Sequence, residues 1–252
     1  MSDRIEIDRL APGQRPLDRA IGYQKWRDLL FIHWTISPDV LRPLLPPTLE
    51  VDLFDGQAWL GLVPFAMRGV RPWWSPSIPG VSNFLETNVR TYVIRDGEPG
   101  VWFFSLDAAN SLAVRIARSR WALPYFRSRM SLRKSGNQIS YAGNRLWPEP
   151  SDAMYTIDAE LSSISPDVAQ EGTLEHFLVE RYLLFAESKR GPILRGQVHH
   201  KPYKYQPATI TRLEETLSTA AGLPPCDDIA HVCFSPGVDV EIFPLRSEIV
   251  SS

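Results

Sequence analysis

The stretch Phe84-Leu-Glu-Thr-Asn-Val-Arg-Thr-Tyr-Val-Ile94, with the Asp96-Gly97 turn and Val101-Trp-Phe-Phe-Ser-Leu106 after it, decides the fold. Both halves are rich in β-branched and aromatic residues, and Asp-Gly between two such runs signals a tight hairpin. Strand side chains alternate between faces. One face of the first half carries Leu85, Thr87, Val89, Thr91 and Val93; the other carries Phe84, Glu86, Asn88, Arg90, Tyr92 and Ile94. The first is a core face. The second sets an acid, an amide, a guanidinium and a phenol in a row between apolar residues. Two readings stand open for that row: a solvated face laced by cross-strand pairs, or the lining of a polar cavity inside a closed sheet. The partner half favours the cavity, because residues 101–106 are apolar at both parities and so covered on both faces.

Similar signals recur on either side. Residues 25–34 read as a strand, and Ser37-Pro38 opens a helix that Pro43, Pro46 and Pro47 keep short. Residues 49–54, the Asp55-Gly56 turn and residues 57–70 read as another hairpin, with Pro64 marking an edge or bulged strand. Residues 108–120 suit a short helix. Residues 127–134 and 138–146 flank a Ser135-Gly136-Asn137 turn, and 154–161 read as a further strand. Residues 173–188 carry the strongest helical pattern, and strands resume at 193–199, 209–213 and 231–243. Arg71-Pro-Trp-Trp-Ser-Pro-Ser-Ile-Pro-Gly-Val-Ser82 is too proline-rich for regular structure. Its Trp73-Trp74 pair reads either as a flap over the core or as a lid or interface. Residues 1–20 are polar and read as a flexible N-terminal arm before a single domain over 21–252. Many hairpins and few helices predict an α+β, mostly antiparallel β fold, closed or nearly closed into a barrel with helices outside.

Composition narrows function by exclusion. The 252 residues include 27 Lys and Arg against 29 Asp and Glu, so no global basic field exists to hold nucleic acid or an anionic membrane. Of the cations 22 are arginine, the residue suited to carboxylates and phosphates, although a coding bias accounts for the excess as simply. Cys226 and Cys233 imply neither a disulfide framework nor a zinc cluster. A charged N-terminus and the lack of a long apolar run predict a cytoplasmic chain without signal peptide or membrane span. The sequence has no HExxH, GxSxG, P-loop or GxGxxG pattern.

Arginine and histidine positions stand out next. At helical spacing, Leu174, Phe177, Leu178, Leu184 and Phe185 form an apolar stripe with Arg181 in its middle. A core-facing arginine must pair, and Glu86 is the candidate carboxylate; the alternative is a substrate carboxylate. Arg118 falls on the polar side of its own helical pattern and gains no role from periodicity. His33 reads as a core histidine, and the adjacent His199 and His200 point to opposite faces, so no metal site is expected.

Several ordered motifs resemble the YqjF-like bacterial family of unknown function. They are Trp26-Arg-Asp-Leu-Leu-Phe-Ile-His-Trp34, Leu44-Leu-Pro-Pro47, Phe54-Asp-Gly-Gln-Ala-Trp-Leu60, Val63-Pro-Phe65, the 86–93 and 100–107 segments, Leu123-Pro-Tyr125 and Glu180-Arg-Tyr182. That family is in turn distantly similar to acetoacetate decarboxylase. The resemblance implies a curved antiparallel sheet closed into a cone-like barrel around a central cavity, and a homo-oligomer. In the decarboxylase a lysine after a proline forms a Schiff base, its amine kept neutral by a neighbouring cation. The matching stretch here is Leu123-Pro124-Tyr125-Phe126, so Tyr125 stands where that lysine would be, and tyrosine cannot form an imine. The decarboxylase's strand glutamate is matched by Glu86, and the resemblance raises Arg118 to a cavity neighbour. The expectation is therefore a small-molecule site for an anionic or oxo-acid-like ligand, with no cofactor. Glu86 and Tyr125 are its acid–base groups, and Asn88, Arg90, Arg118 and Arg181 bind the ligand. A lyase, hydratase or isomerase would fit, as would a non-catalytic binder or a structural protein.

Overall fold

The computed structural model describes residues 7–112, 114–115, 123–149, 152–188, 191–226 and 228–247. The chain runs through β1 (Gly22–Ile36), α1 (Pro38–Leu41), β2 (Glu50–Val51), β3 (Ala58–Pro72), β4 (Phe84–Arg95) and β5 (Glu98–Ala108). Then come β6 (Tyr125–Ser135), β7 (Gln138–Trp147), β8 (Met154–Leu161), β9 (Asp167–Val168), α2 (Leu174–Val179), β10 (Leu183–Glu187) and β11 (Ile193–His199). The last elements are β12 (Lys204–Glu215), α3 (Leu217–Ala220), β13 (His231–Ile242) and β14 (Arg246–Ser247).

Strand pairing closes on itself twice. The smaller ring runs β5–β4–β3–β1–β13–β11–β10 and back to β5; the larger runs β5–β6–β7–β8–β12–β13–β1–β3–β4 and back. Most pairs are antiparallel, but β5 pairs in parallel with β6 and with β10. Strands β13, β1, β3, β4 and β5 belong to both rings and form a wall between them. A wall covered on both faces must be apolar at both parities. Accordingly Leu30, Ile32, Trp34, Val89 and Val93 enter one apolar cluster, whereas Leu29, Phe31, Phe84 and Tyr92 enter another. This is why residues 101–106 show no polar face.

Local chemistry fits this plan. Ser37 caps α1, its hydroxyl accepting from the Asp39 amide. Pro64 lies in a central strand, beside a bulge where the β1–β3 register shifts between Arg27 and Ile32. There the missing N–H costs no ladder bond. Asp28 takes a left-handed φ of 51° in the same bulge. Gly237 sits opposite, at φ 124°, where a Cβ would come within 2.0 Å of the Trp26 carbonyl oxygen.

Two expectations are corrected. Residues 173–188 are not one helix: α2 ends at Val179 and β10 begins at Leu183. Its apolar residues satisfy a helical stripe, but they equally satisfy a strand buried on both faces. Pairing with β11 and β5 gives the backbone its partners and closes the smaller ring. Nor do residues 49–54 and 57–70 form a ladder. Only Phe54 and Gln57 bridge the Asp55-Gly56 turn, and β2 pairs with β4 at Val93 and Ile94. Strand β3 is flanked by β1 and β4 and has no edge left to offer.

Of the polar arm, residues 7–20 lie against the body. Arg9 clamps Asp52 with two 2.7 Å bonds, Arg15 pairs with Glu241, and Pro12 and Gly13 carbonyls accept from Gln197 and contact His199. In the 108–120 segment, residues 111–112 and 114–115 are helical. Residues 108–110 precede these, with Ala108 closing β5, and residues 113 and 116–120, Arg118 included, lie outside the described residues.

Candidate functional site

A cavity of about 770 Å³ is lined by the strands of the smaller ring. Its walls are mostly apolar, from Trp26, Met67, Phe84, Val101, Phe103 and Ile242, residues of the second core cluster and its neighbours. Four of the six residues expected from sequence meet there: Glu86, Arg90, Tyr125 and Arg181. Asn88 shares the strand face of Glu86 and Arg90 and is buried, but it is not part of the lining; its Oδ1 has no hydrogen-bond partner.

Strand β4 sets the order of the polar groups along the cavity wall. Phe84 lies at the end joined to the Trp73–Asn83 loop, where Trp73, Trp74 and Ile78 form an exposed rim of the cavity. Arg19 stacks over Trp73 at 3.5 Å, and Arg71 stands beside Tyr23 on the same rim. Glu86 follows inward. Tyr125, delivered by β6 alongside Leu106 of β5, donates its hydroxyl to Glu86 Oε2 at 2.9 Å. Burial pushes the Glu86 carboxyl up to about 8, with the Tyr125 bond opposing and the Asp107 charge adding to the rise. At neutral pH Glu86 is mainly the neutral acid. Burial, and then Glu86, likewise drive the Tyr125 phenol well above its usual range. Tyr125 keeps some exposure, and that exposure faces the cavity.

Arg90 lies deeper. Its Nη2 donates to the Leu178 carbonyl at 2.9 Å and to the Tyr92 hydroxyl at 3.3 Å, and its Nε has no partner. Among the described residues no carboxylate pairs with it, although it is only 9% exposed. Tyr92 gives its own proton to the Leu178 carbonyl at 2.9 Å. The 2.8 Å contact with His33 Nε2 therefore requires that nitrogen to be the donor. Burial, followed by the neighbouring His231 and Arg90, holds His33 well below its usual range, hence neutral.

Arg181 is neither on a helix nor paired with Glu86. It follows α2, donates through Nε to the Phe177 carbonyl at 2.7 Å, and pairs with buried Asp52 at 2.7 Å. Burial pulls its guanidinium down, while Asp52 works against that. Asp52 thus serves both Arg9 and Arg181. It follows β2, and no periodicity marks it. Tyr203, Trp26 and Tyr182 also line the cavity and were not picked out by pattern. They come from different elements, and only the ring brings them together.

The wall's other face carries a closed polar set. Arg145 donates to both oxygens of Asp107, at 3.0 and 2.8 Å, Ser128 adds a 2.6 Å bond, and Thr87 meets the Tyr155 hydroxyl at 2.7 Å. Every charge there has its partner. Among the described residues no three His, Cys, Asp or Glu side chains converge to hold a metal, and no helix is long and apolar enough to cross a membrane.

Comparison with known proteins fits the architecture. The chain is 38% identical to the uncharacterized protein YqjF of Bacillus subtilis over 226 residues, 88% of this chain and 90% of that one. Among solved structures it resembles the enduracididine biosynthesis enzyme MppR complexed with pyruvate, with a TM-score of 0.62, 13% identity and 93% of each chain covered. It also resembles acetoacetate decarboxylase from Legionella pneumophila, with a TM-score of 0.60, 16% identity and again 93% of each chain covered. At those identities the likeness concerns the fold. The model of DUF2071, an uncharacterized conserved protein family, matches residues 23–239, and the chain belongs to that family.

Proposed function

We propose that this chain binds a carboxylate-bearing, oxo-acid-like small molecule inside the smaller strand ring, a cone-like barrel, and acts on it without a Schiff base. The observation that carries this reading is Arg90: a buried guanidinium on the cavity wall with no carboxylate partner among the described residues. A buried cation without a counter-charge is costly, and a ligand anion would remove that cost while forming charge-assisted bonds. The buried acid Glu86, bonded to Tyr125, supplies a proton donor whose pKa lies close to neutrality. Glu86 would protonate a developing enolate or alkoxide, and Tyr125 would hold the carboxyl in place. Lyase, hydratase and isomerase chemistry all use such a step.

An imine needs a lysine amine at the cavity. Among the described residues no lysine lines the cavity; Lys25, Lys134, Lys201 and Lys204 are exposed. Tyr125, read as standing where the decarboxylase has its lysine, cannot form an imine. The pyruvate bound by the MppR neighbour supports a carboxylate-bearing ligand.

The test is a thermal-shift screen with small carboxylic acids, joined to borohydride treatment in the presence of a keto acid. A ligand that binds only the folded chain raises its apparent stability. The reading expects a stabilising acid and no covalent trapping. No shift with any acid would remove the site, and trapped adduct mass would restore the imine. A stabilising acid that is never turned over would leave a binder or sensor using the same cavity.

A further inference from the structure

We infer that the ligand is an extended carboxylate with a long apolar body, its carboxylate at Arg90 and its apolar part running past Glu86–Tyr125 toward the Trp73–Trp74 rim. This rests on the carboxylate-site reading above and names the ligand class it leaves open.

Spacing sets a minimum ligand length. Glu86 and Arg90 are four residues apart on β4, about 13 Å between Cα atoms at strand rise. The guanidinium turns further away, toward Tyr92 and the Leu178 carbonyl. In a 2-oxo or 3-oxo acid the carbonyl and carboxylate are adjacent or one carbon apart. Such a molecule cannot touch Arg90 and the Glu86–Tyr125 pair together. A molecule that engages both needs several carbons between its anionic end and the group at Glu86.

Opposite this span β5 presents Phe103 and Leu106, both on the cavity wall. Asn88, the one polar residue of that strand face in between, is kept out of the lining. A hydrated polar spacer would meet apolar wall, whereas a methylene chain would bury there favourably. Size points the same way. At about 770 Å³ the cavity is in the range that houses drug-sized ligands. A three- or four-carbon acid would leave most of it as water against Phe84, Met67 and Trp26. Charge agrees with an anionic end: Glu86 is mainly neutral, Arg181 shares the one Asp52 carboxylate with Arg9, and Arg90 has no carboxylate partner among the described residues.

The experiment is titration of the whole chain with decanoate, methyl decanoate, decan-1-ol and acetoacetate, read by tryptophan fluorescence and calorimetry. Trp26, Trp73 and Trp74 border the cavity and report occupancy. We expect one decanoate per chain, bound on the order of tenfold or more tighter than its ester, the alcohol or acetoacetate, the margin of one charge-assisted bond. Arg90→Gln should erase the acid's margin over the alcohol and leave the alcohol's affinity unchanged. Should that variant not fold, the acid-to-ester ratio on the unmodified chain decides alone. Acetoacetate binding tighter than decanoate would overturn the extended-ligand proposal while sparing the carboxylate site. Equal binding of acid and ester, or several acids per chain without saturation, would overturn it as well. If no carboxylate of either kind binds, the site reading falls with it.

Discussion

The Tyr125 hydroxyl donates to Glu86 Oε2 at 2.9 Å, tying the start of β6 to β4 across the cavity wall. Among the described residues the partner of this buried acid is a phenol and not a cation. The Glu86 proton is therefore held by burial, and the consequence is a pH dependence. Between the ordinary value of 4.5 and about 8, the folded chain keeps a proton that the unfolded chain has released. Stability from this group is complete below about pH 4.5 and is lost as pH rises through 8. Glu86→Gln removes that loss. The variant's unfolding free energy, read from urea denaturation, should exceed wild type near pH 9 by up to about 5 kcal/mol and converge on it near pH 4. A margin that does not change with pH would mean Glu86 is ionised in the folded chain.

Asp107 and Arg145, each 1% exposed or less, form a two-pronged ion pair inside the larger ring. Asp107→Asn leaves a buried guanidinium unmatched and should cost about 3 to 5 kcal/mol in chemical unfolding. The paired change Asp107→Leu with Arg145→Met should cost clearly less than Arg145→Met and Asp107→Leu summed. Additive losses would show that the two side chains do not interact.

Asp52 carries two arginines of unequal burial. Arg9→Ala removes a part-exposed partner and should cost about 1 kcal/mol or less. Asp52→Ala strands Arg181 in the interior and should cost about 3 kcal/mol or more. Comparable losses for the two changes in a denaturation series would contradict this division of roles.

Gly237→Ala tests the bulge that lets β1 serve both rings. The added methyl would sit 2.0 Å from the Trp26 carbonyl oxygen, at a φ of 124° that side-chain-bearing residues rarely adopt. The strand must shift, at a cost of about 3 kcal/mol or more, and a drop in melting temperature measures it. A near-neutral change would mean that β1 and β13 tolerate a looser register here.

The balance between sequence and tertiary structure shows in particular residues. Alternation over 84–94 and the Asp96-Gly97 turn determined the hairpin, and the double-parity apolar run at 101–106 determined that it is covered on both faces. Period-2 patterning and turn chemistry act over a few residues and so are written locally. Ser37 capping α1 and Pro64 at a bulge are legible for the same reason. The motifs that carry the family likeness are also written in the chain, and they implied the fold that comparison with solved structures supports. Arg181 shows the limit. Its burial and need for an anion could be read from its apolar neighbours, but residues 180–187 fit a helix and a doubly buried strand alike. The choice went to the strand because β5 and β11 offered backbone partners on both sides. Asp52, its partner, lies 129 positions away with no periodic mark. Which carboxylates meet guanidiniums, and which guanidinium is left facing a cavity, depends on contacts between elements remote in sequence. Those contacts exist only once the two strand rings have closed.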